Sequence, residues 1–142
     1  MAAIAVLVFI LLLFPFEKIV APAANIQILG VNGAPAPGLL VEQRWADYSL
    51  SNEVATEYKK TDAAGRIWFP KRTRRVPLIW RFLSLILVPL KGAFHMSAGR
   101  YSTIIVYGPD PKIWTSQDNT GEPWPQVMQL RQGEGEIRPK VE

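Results

Sequence analysis

Asn32-Gly-Ala-Pro-Ala-Pro-Gly-Leu-Leu-Val-Glu-Gln-Arg-Trp-Ala46 changes character at Gly38. Up to that point glycines and prolines alternate with small residues, a composition that excludes a helix and reads as a turn, because proline lacks an amide donor and glycine reaches positive φ. Beyond it, Leu39, Val41, Gln43 and Trp45 alternate with Leu40, Glu42, Arg44 and Ala46, and a period of two marks a strand with one buried face. Working outward, Ile26, Ile28 and Val31 precede the turn, and Ala55 to Lys60 offer a further strand. That strand ends at Thr61-Asp-Ala-Ala-Gly65, where Asp62 can bond turn amides and Gly65 can take positive φ. Arg66-Ile-Trp-Phe-Pro70 then returns as its hairpin partner. Ser102-Thr-Ile-Ile-Val-Tyr107 is a β-branched run closed by Gly108-Pro-Asp-Pro111, and Val127 to Leu130 is a shorter candidate. Short strands separated by Gly and Pro turns predict an all-β sandwich.

Two of these segments carry a family resemblance. Gly33-Ala-Pro-Ala-Pro-Gly-Leu-Leu-Val41, followed twenty residues later by Thr61-Asp-Ala-Ala-Gly-Arg-Ile-Trp-Phe69, resembles the transthyretin-like, carboxypeptidase regulatory-like domain family. Members show G-x-P-x-x-G-x-x-V and then T-D-x-x-G-x-F, with Ile67 standing here where the aromatic is usual. The resemblance implies a Greek-key transthyretin-like or immunoglobulin-like sandwich outside the cytoplasm, acting as a binding or spacing module without catalysis.

The departure from that pattern follows Phe69. Between Ala63 and Pro109 lie eight Lys or Arg residues and no Asp or Glu, although the chain holds sixteen basic and twelve acidic residues and a net charge of +4. Such asymmetry points to an anionic partner. At its centre runs Pro77-Leu-Ile-Trp-Arg-Phe-Leu-Ser-Leu-Ile-Leu-Val-Pro-Leu90, flanked by Lys71, Arg72, Arg74, Arg75 and Lys91. As a helix, with Pro77 in its first turn and Pro89 limiting its far end, the run has Arg81 at zero degrees, Ser84 near roughly 300° and Lys91 near roughly 280°. Trp80, Phe82, Leu83, Leu85, Ile86, Leu87 and Val88 fill the rest of the circumference. Fourteen residues make about 21 Å, too short to cross a bilayer and long enough to lie along one. Lys71, Arg72, Arg74, Arg75, Trp80, Arg81, Phe82, Leu83, Ile86, Leu87 and Lys91 are the expected docking residues, on anionic lipid or on a protein partner. A nucleic-acid surface would not continue into such an apolar run.

Met1 to Phe16 contains no charged side chain. Its sixteen residues span about 24 Å as a helix, slightly short of the ~30 Å hydrocarbon core, and Ile19 to Ala24 would extend it. Without Lys or Arg ahead of the apolar stretch, the segment reads as a retained anchor rather than a secretory signal, despite the small residues of Ala21-Pro22-Ala23.

Residue types also limit the chemistry. Cysteine is absent, which removes disulfides and thiolate sites. The Gly33 to Gly38 turn has no Lys-Ser or Lys-Thr and is no phosphate loop. His95, near Ser97 and Ser102, has no identifiable acid partner, and Asp47, Glu53, Glu57 and Asp62 lack the spacing of a calcium loop. Trp45, Trp68, Tyr101 and Tyr107 read as core or sheet face. Trp114 and Trp124, in the Pro-rich stretch from Gly108 to Pro125, are candidate ligand or partner contacts.

The expected organisation is an anchor over 1–24, a sandwich over 25–132 with the basic, apolar insertion at 71–95, and a polar tail over 133–142. The expected function is that of a non-catalytic accessory subunit, without cofactor or metal, single-pass in the membrane with its sandwich on the extracytoplasmic side. Its partners would be the lipid bilayer and the subunits of a membrane complex, respiratory or photosynthetic. The alternative is a periplasmic carrier that captures a sugar, peptide or other small ligand.

Overall fold

The structure, a computed structural model, describes residues 2–48, 53–80, 82–83, 85–86, 100–119, 123–133 and 139. A helix, α1 (Ala2–Leu13), leads into β1 (Pro15–Ala21), β2 (Ala24–Leu29), β3 (Leu40–Asp47), β4 (Ala55–Lys60), β5 (Arg66–Phe69) and β6 (Arg72–Pro77). Residues 78–80, 82–83 and 85–86 are helical, and β7 (Arg100–Tyr107), β8 (Ile113–Asn119), β9 (Val127–Gln129) and β10 (Arg131–Gln132) follow.

The architecture is an all-β sandwich. One sheet runs β10-β8-β7-β3-β4, all antiparallel, and the other runs β5-β2-β9 with β9 parallel to β2. The alternating residues of each sheet meet in one core: Ile26 and Ile28 from β2, Ile67 and Phe69 from β5 and Met128 from β9 pack with Val41, Ile104 and Val106 of the larger sheet. β-branched residues dominate the central strand β7, as a pleated surface favours.

The two turn motifs meet in space. Thr61 holds them together: its hydroxyl donates to the Ala36 carbonyl at 2.8 Å and accepts from the Leu39 amide at 2.9 Å. Its backbone pairs with Gly38 and Leu39 as well. Asp62 Oδ1 accepts from the amides of Ala64 and Arg66 at 2.9 and 2.7 Å, and Gly65 takes φ +71°. The expected β4–β5 hairpin is not what this turn makes. β4 pairs with β3, β5 pairs with β2, and the turn carries the chain from one sheet to the other. The reason is local: the Ile28 amide donates to the Gly65 carbonyl at 2.7 Å, which fastens the turn to β2.

Three other differences concern segments read as something else. The apolar helix stops at Leu13, and Pro15–Ala21 becomes a strand instead of extending the helix toward Ala24. Arg72–Pro77, read as the basic approach to the apolar helix, is its partner strand, and Pro77 is both the last rung of that ladder and the residue before the helical stretch that begins at 78. β8 lies within the stretch read as a Pro-rich loop, recruited by pairing along β7 from Ser102 to Tyr107. His95 and Ser97 lie outside the described residues.

Gln43 is the awkward core residue. It sits fully buried on the inner face of β3, and among the described residues neither atom of its amide has a hydrogen-bond partner. Burying an unsatisfied amide costs on the order of 1–3 kcal/mol. Gln43→Met, close in volume, is therefore expected to stabilise the protein by about 1 kcal/mol in urea unfolding, and destabilisation would show that the amide is satisfied.

Candidate membrane-docking surface

β1 and β2 on one side, and β5 and β6 on the other, form a continuing two-stranded arm, since Ala24 pairs with Phe69 and Ala21 with Arg72. Past β2 and β5 the arm runs on through Ile19 opposite Thr73, Lys18 opposite Arg74, Glu17 opposite Arg75 and Phe16 opposite Val76. It ends at Pro15 opposite Pro77. Proline lacks the amide donor that a longer ladder needs, so two prolines make a natural end. From this tip both apolar segments depart: α1 upstream of Pro15, and the helical residues downstream of Pro77. Segments some sixty residues apart in sequence thus share one root.

Both are apolar and exposed. Ile4, Leu7, Phe9 and Ile10 of α1 stand open, and no polar side chain interrupts the helix. Leu85 and Ile86 are 70% and 68% exposed, with Trp80 and Phe82 also in the open. A helix apolar all round belongs in a core or in lipid. Phe14 turns the corner: its amide bonds the Ile10 carbonyl at 2.9 Å, and its ring meets Phe16 edge-on at 5.0 Å.

The basic residues divide by role. Arg72, expected among the residues that dock on lipid or on a protein partner, turns inward, ion-paired with Glu57 of β4 and with its guanidinium 4.8 Å from the Trp45 ring centroid. Lys18 bonds buried Asp47 of β3 at 2.5 Å. Arg100 donates from Nη1 to the Ile19 carbonyl at 3.2 Å. These contacts fasten the arm to the larger sheet. Lys71, Arg74 and Arg75 remain on the surface. Arg74, Arg75, Val76, Pro77 and Trp80 line a hollow of about 290 Å³ at the root of the downstream segment. Leu83 is exposed, whereas Arg81, Leu87 and Lys91 lie outside the described residues.

The aromatic candidates also part ways. Trp124 is buried in the core cluster, with its indole N–H bonded to the Pro22 carbonyl at 3.3 Å. It packs the sandwich and is no open ligand contact. Trp114 is half-buried on β8 opposite Arg131, close over Gly133.

One cluster on the outer face of the larger sheet escaped the reading of spacing, because its members come from three strands. Buried Glu42 accepts from Arg44 and from the Tyr107 hydroxyl, next to Tyr58. Burial pushes the Glu42 carboxyl up, but the bonds from Arg44 and Tyr107 and the Arg44 charge outweigh it and leave the group below its ordinary value. Burial and Glu42 push Tyr107 and Tyr58 up. Acid and phenol are thus both moved away from neutrality, which suits a structural bond and not proton transfer near pH 7. Since folding lowers the Glu42 pKa, its contribution is complete above the ordinary carboxylate value of about 4.3 and is lost as pH falls through the lowered value. Glu42→Gln is expected to flatten the acid limb of stability against pH, and an unchanged slope in urea unfolding below about pH 5 would contradict this.

Among the described residues no helix is long and apolar enough to cross a membrane, and no three His, Asp or Glu side chains are grouped to hold a metal ion. Comparison of the chain with protein-family models, curated proteins and solved structures found no match, so the functional reading rests on this geometry.

Proposed function

We propose that the chain is a non-catalytic, membrane-anchored accessory protein: a transthyretin-like Greek-key sandwich held at the extracytoplasmic face of a bilayer through the tip of its two-stranded arm. The observation that carries this reading is the pairing of Pro15 with Pro77, which delivers two exposed apolar segments to one place. α1, twelve residues long, reaches about 18 Å, enough to enter one leaflet of a ~30 Å core and hold there. The segment after Pro77 lies beside it at the interface, where Trp80 suits the boundary between headgroups and chains. Arg74 and Arg75 stand where headgroups would be, and each adds on the order of 1 kcal/mol near an anionic leaflet. The fastened arm fixes the distance between sandwich and bilayer, which is what an assembly or stabilising subunit of a membrane complex requires.

Flotation of the full-length protein with phosphatidylcholine vesicles, with and without phosphatidylglycerol, tests the proposal. The protein is expected to float with both, more tightly with the anionic lipid, and to stay bound at about 1 M salt, where charge attraction is screened and apolar burial is not. A protein that remains unbound in the dense fraction with both vesicle types would overturn it.

A further inference from the structure

The outer face of the β5-β2-β9 sheet presents a different chemistry, at the end of the arm away from its Pro15 and Pro77 tip. The alternation that buries Ile67 and Phe69 turns Arg66 and Trp68 outward, and the one that buries Ile26 and Ile28 turns Asn25 and Gln27 to the same side. Register sets Trp68 directly opposite Asn25, Arg66 opposite Gln27, and Gln27 beside Val127. Directly opposite residues on one face have Cβ atoms about 5 Å apart, so these side chains form one continuous patch. Asn25, Gln27, Arg66, Gln126 and Val127 line a shallow depression of about 350 Å³, and Trp68 stands in register opposite Asn25. No acid lines it.

Trp68 is 58% exposed, between two core residues on its own strand. The ring offers a flat apolar face with a polar N–H at one edge, a geometry that suits a ligand apolar on one side and polar at its rim. It is also held in place: Lys59 Nζ donates to the Trp68 carbonyl at 3.1 Å and lies 5.3 Å from the ring centroid. The polar groups around it are mostly carboxamides, each able to donate and to accept.

We propose that this face binds an oligosaccharide. A pyranose ring is apolar over the C–H groups of one face and carries hydroxyls, each donor and acceptor, round its rim. The indole of Trp68 takes the C–H face, and Asn25, Gln27 and Gln126 pair with neighbouring hydroxyls. Arg66 donates to a ring or substituent oxygen. The depression is at the small end of ligand sites and open along the sheet, so it accommodates one or two sugar units within a chain rather than an enclosed end group. A nucleic acid would need more than one guanidinium here, and an apolar peptide would need a groove in place of amides. This inference does not depend on the membrane-docking reading, since no residue is shared with that surface.

Titration calorimetry of the detergent-solubilised full-length protein with cellotetraose, chitotetraose, maltotetraose and tetragalacturonate tests it. Saturable binding of at least one probe is expected. Trp68→Ala should weaken it by about tenfold or more, and Gln27→Ala and Arg66→Ala by about three- to tenfold each. Trp80→Ala at the arm tip should leave it unchanged, and Trp68→Ala should leave vesicle flotation unchanged, so the two readings fail separately. Because Trp68 is exposed, its variant is expected to melt within a few degrees of the parent. Absence of binding to all four probes up to about 10 mM, or undiminished binding by folded Trp68→Ala protein, would overturn the proposal. Capture of a peptide at Trp68 without sugar binding would do the same.

Discussion

Replacing Phe82, Leu85 and Ile86 together by serine is expected to lower the vesicle partition coefficient of the full-length protein by about a thousandfold or more. Each of these side chains contributes about 1.5–3 kcal/mol on moving from water into an apolar phase, and every 1.4 kcal/mol is a factor of ten. None belongs to the core cluster, so the sandwich should keep its near-ultraviolet circular dichroism from Trp45 and Trp124. A companion variant with Ile4, Leu7 and Ile10 replaced by serine is expected to lose binding on the same scale. The pair of variants tests the shared root at Pro15 and Pro77 specifically. If only α1 touched lipid, the Phe82, Leu85 and Ile86 variant would bind vesicles as the parent does, and the two-segment surface would be wrong. Titration of vesicle concentration gives the coefficient directly, and Arg74→Ala with Arg75→Ala should reduce only the part that depends on anionic lipid and salt.

Gly65→Ala is expected to be the most damaging small substitution in the sandwich, at a cost of about 3 kcal/mol or more. Two effects combine. The residue holds φ +71°, a region where a side chain costs about 1–2 kcal/mol. A methyl group there would also lie 2.7 Å from the Ile28 carbonyl oxygen and 2.8 Å from the Ala36 amide nitrogen, both backbone atoms that belong to the motif's own hydrogen bonds. Neither can move without loosening β2. The melting temperature of the solubilised protein should fall by about 10 °C for that loss. Gly33→Ala is the control: φ is +78° but nothing lies within 4 Å of the added carbon, so only the backbone term of about 1 kcal/mol remains. Equal effects of the two substitutions would show that crowding against β2 is unimportant.

Strand parity was legible in the residues wherever one face is buried. Ile26, Ile28 and Val41 point to the core, as their alternation predicts, and Ile67, Phe69, Ile104 and Val106 join them there, although the continuous β-branched run of β7 does not by itself say which of its residues face in. Trp68, read with Trp45, Tyr101 and Tyr107 as core or sheet face, stands outside because Ile67 and Phe69 on either side of it are inside. Strands β1 and β6 were not legible. Pro15–Ala21 continues an apolar run that fits a helix, and Arg72–Pro77 is mostly charged. What makes them strands is each other, together with Lys18 on Asp47 and Arg72 on Glu57. Arg72 shows the limit most plainly: among neighbouring arginines, no local pattern says which one will find the half-buried Glu57 on another sheet.

By itself, then, the sequence determined the kind of structure and its materials: a β-sandwich punctuated by Gly and Pro turns, an apolar amino-terminal helix, and a basic segment leading into an apolar one. Periodicity, turn chemistry and composition are local properties, and these features depend on nothing else. Tertiary structure decided the partnerships: β5 with β2 instead of β4, β1 with β6, Trp124 into the core, and the two apolar segments to a common root. Each of those is a contact between residues far apart in the chain, chosen by which faces remain to be buried and which backbone donors remain to be paired, and no window of sequence contains both sides of that choice.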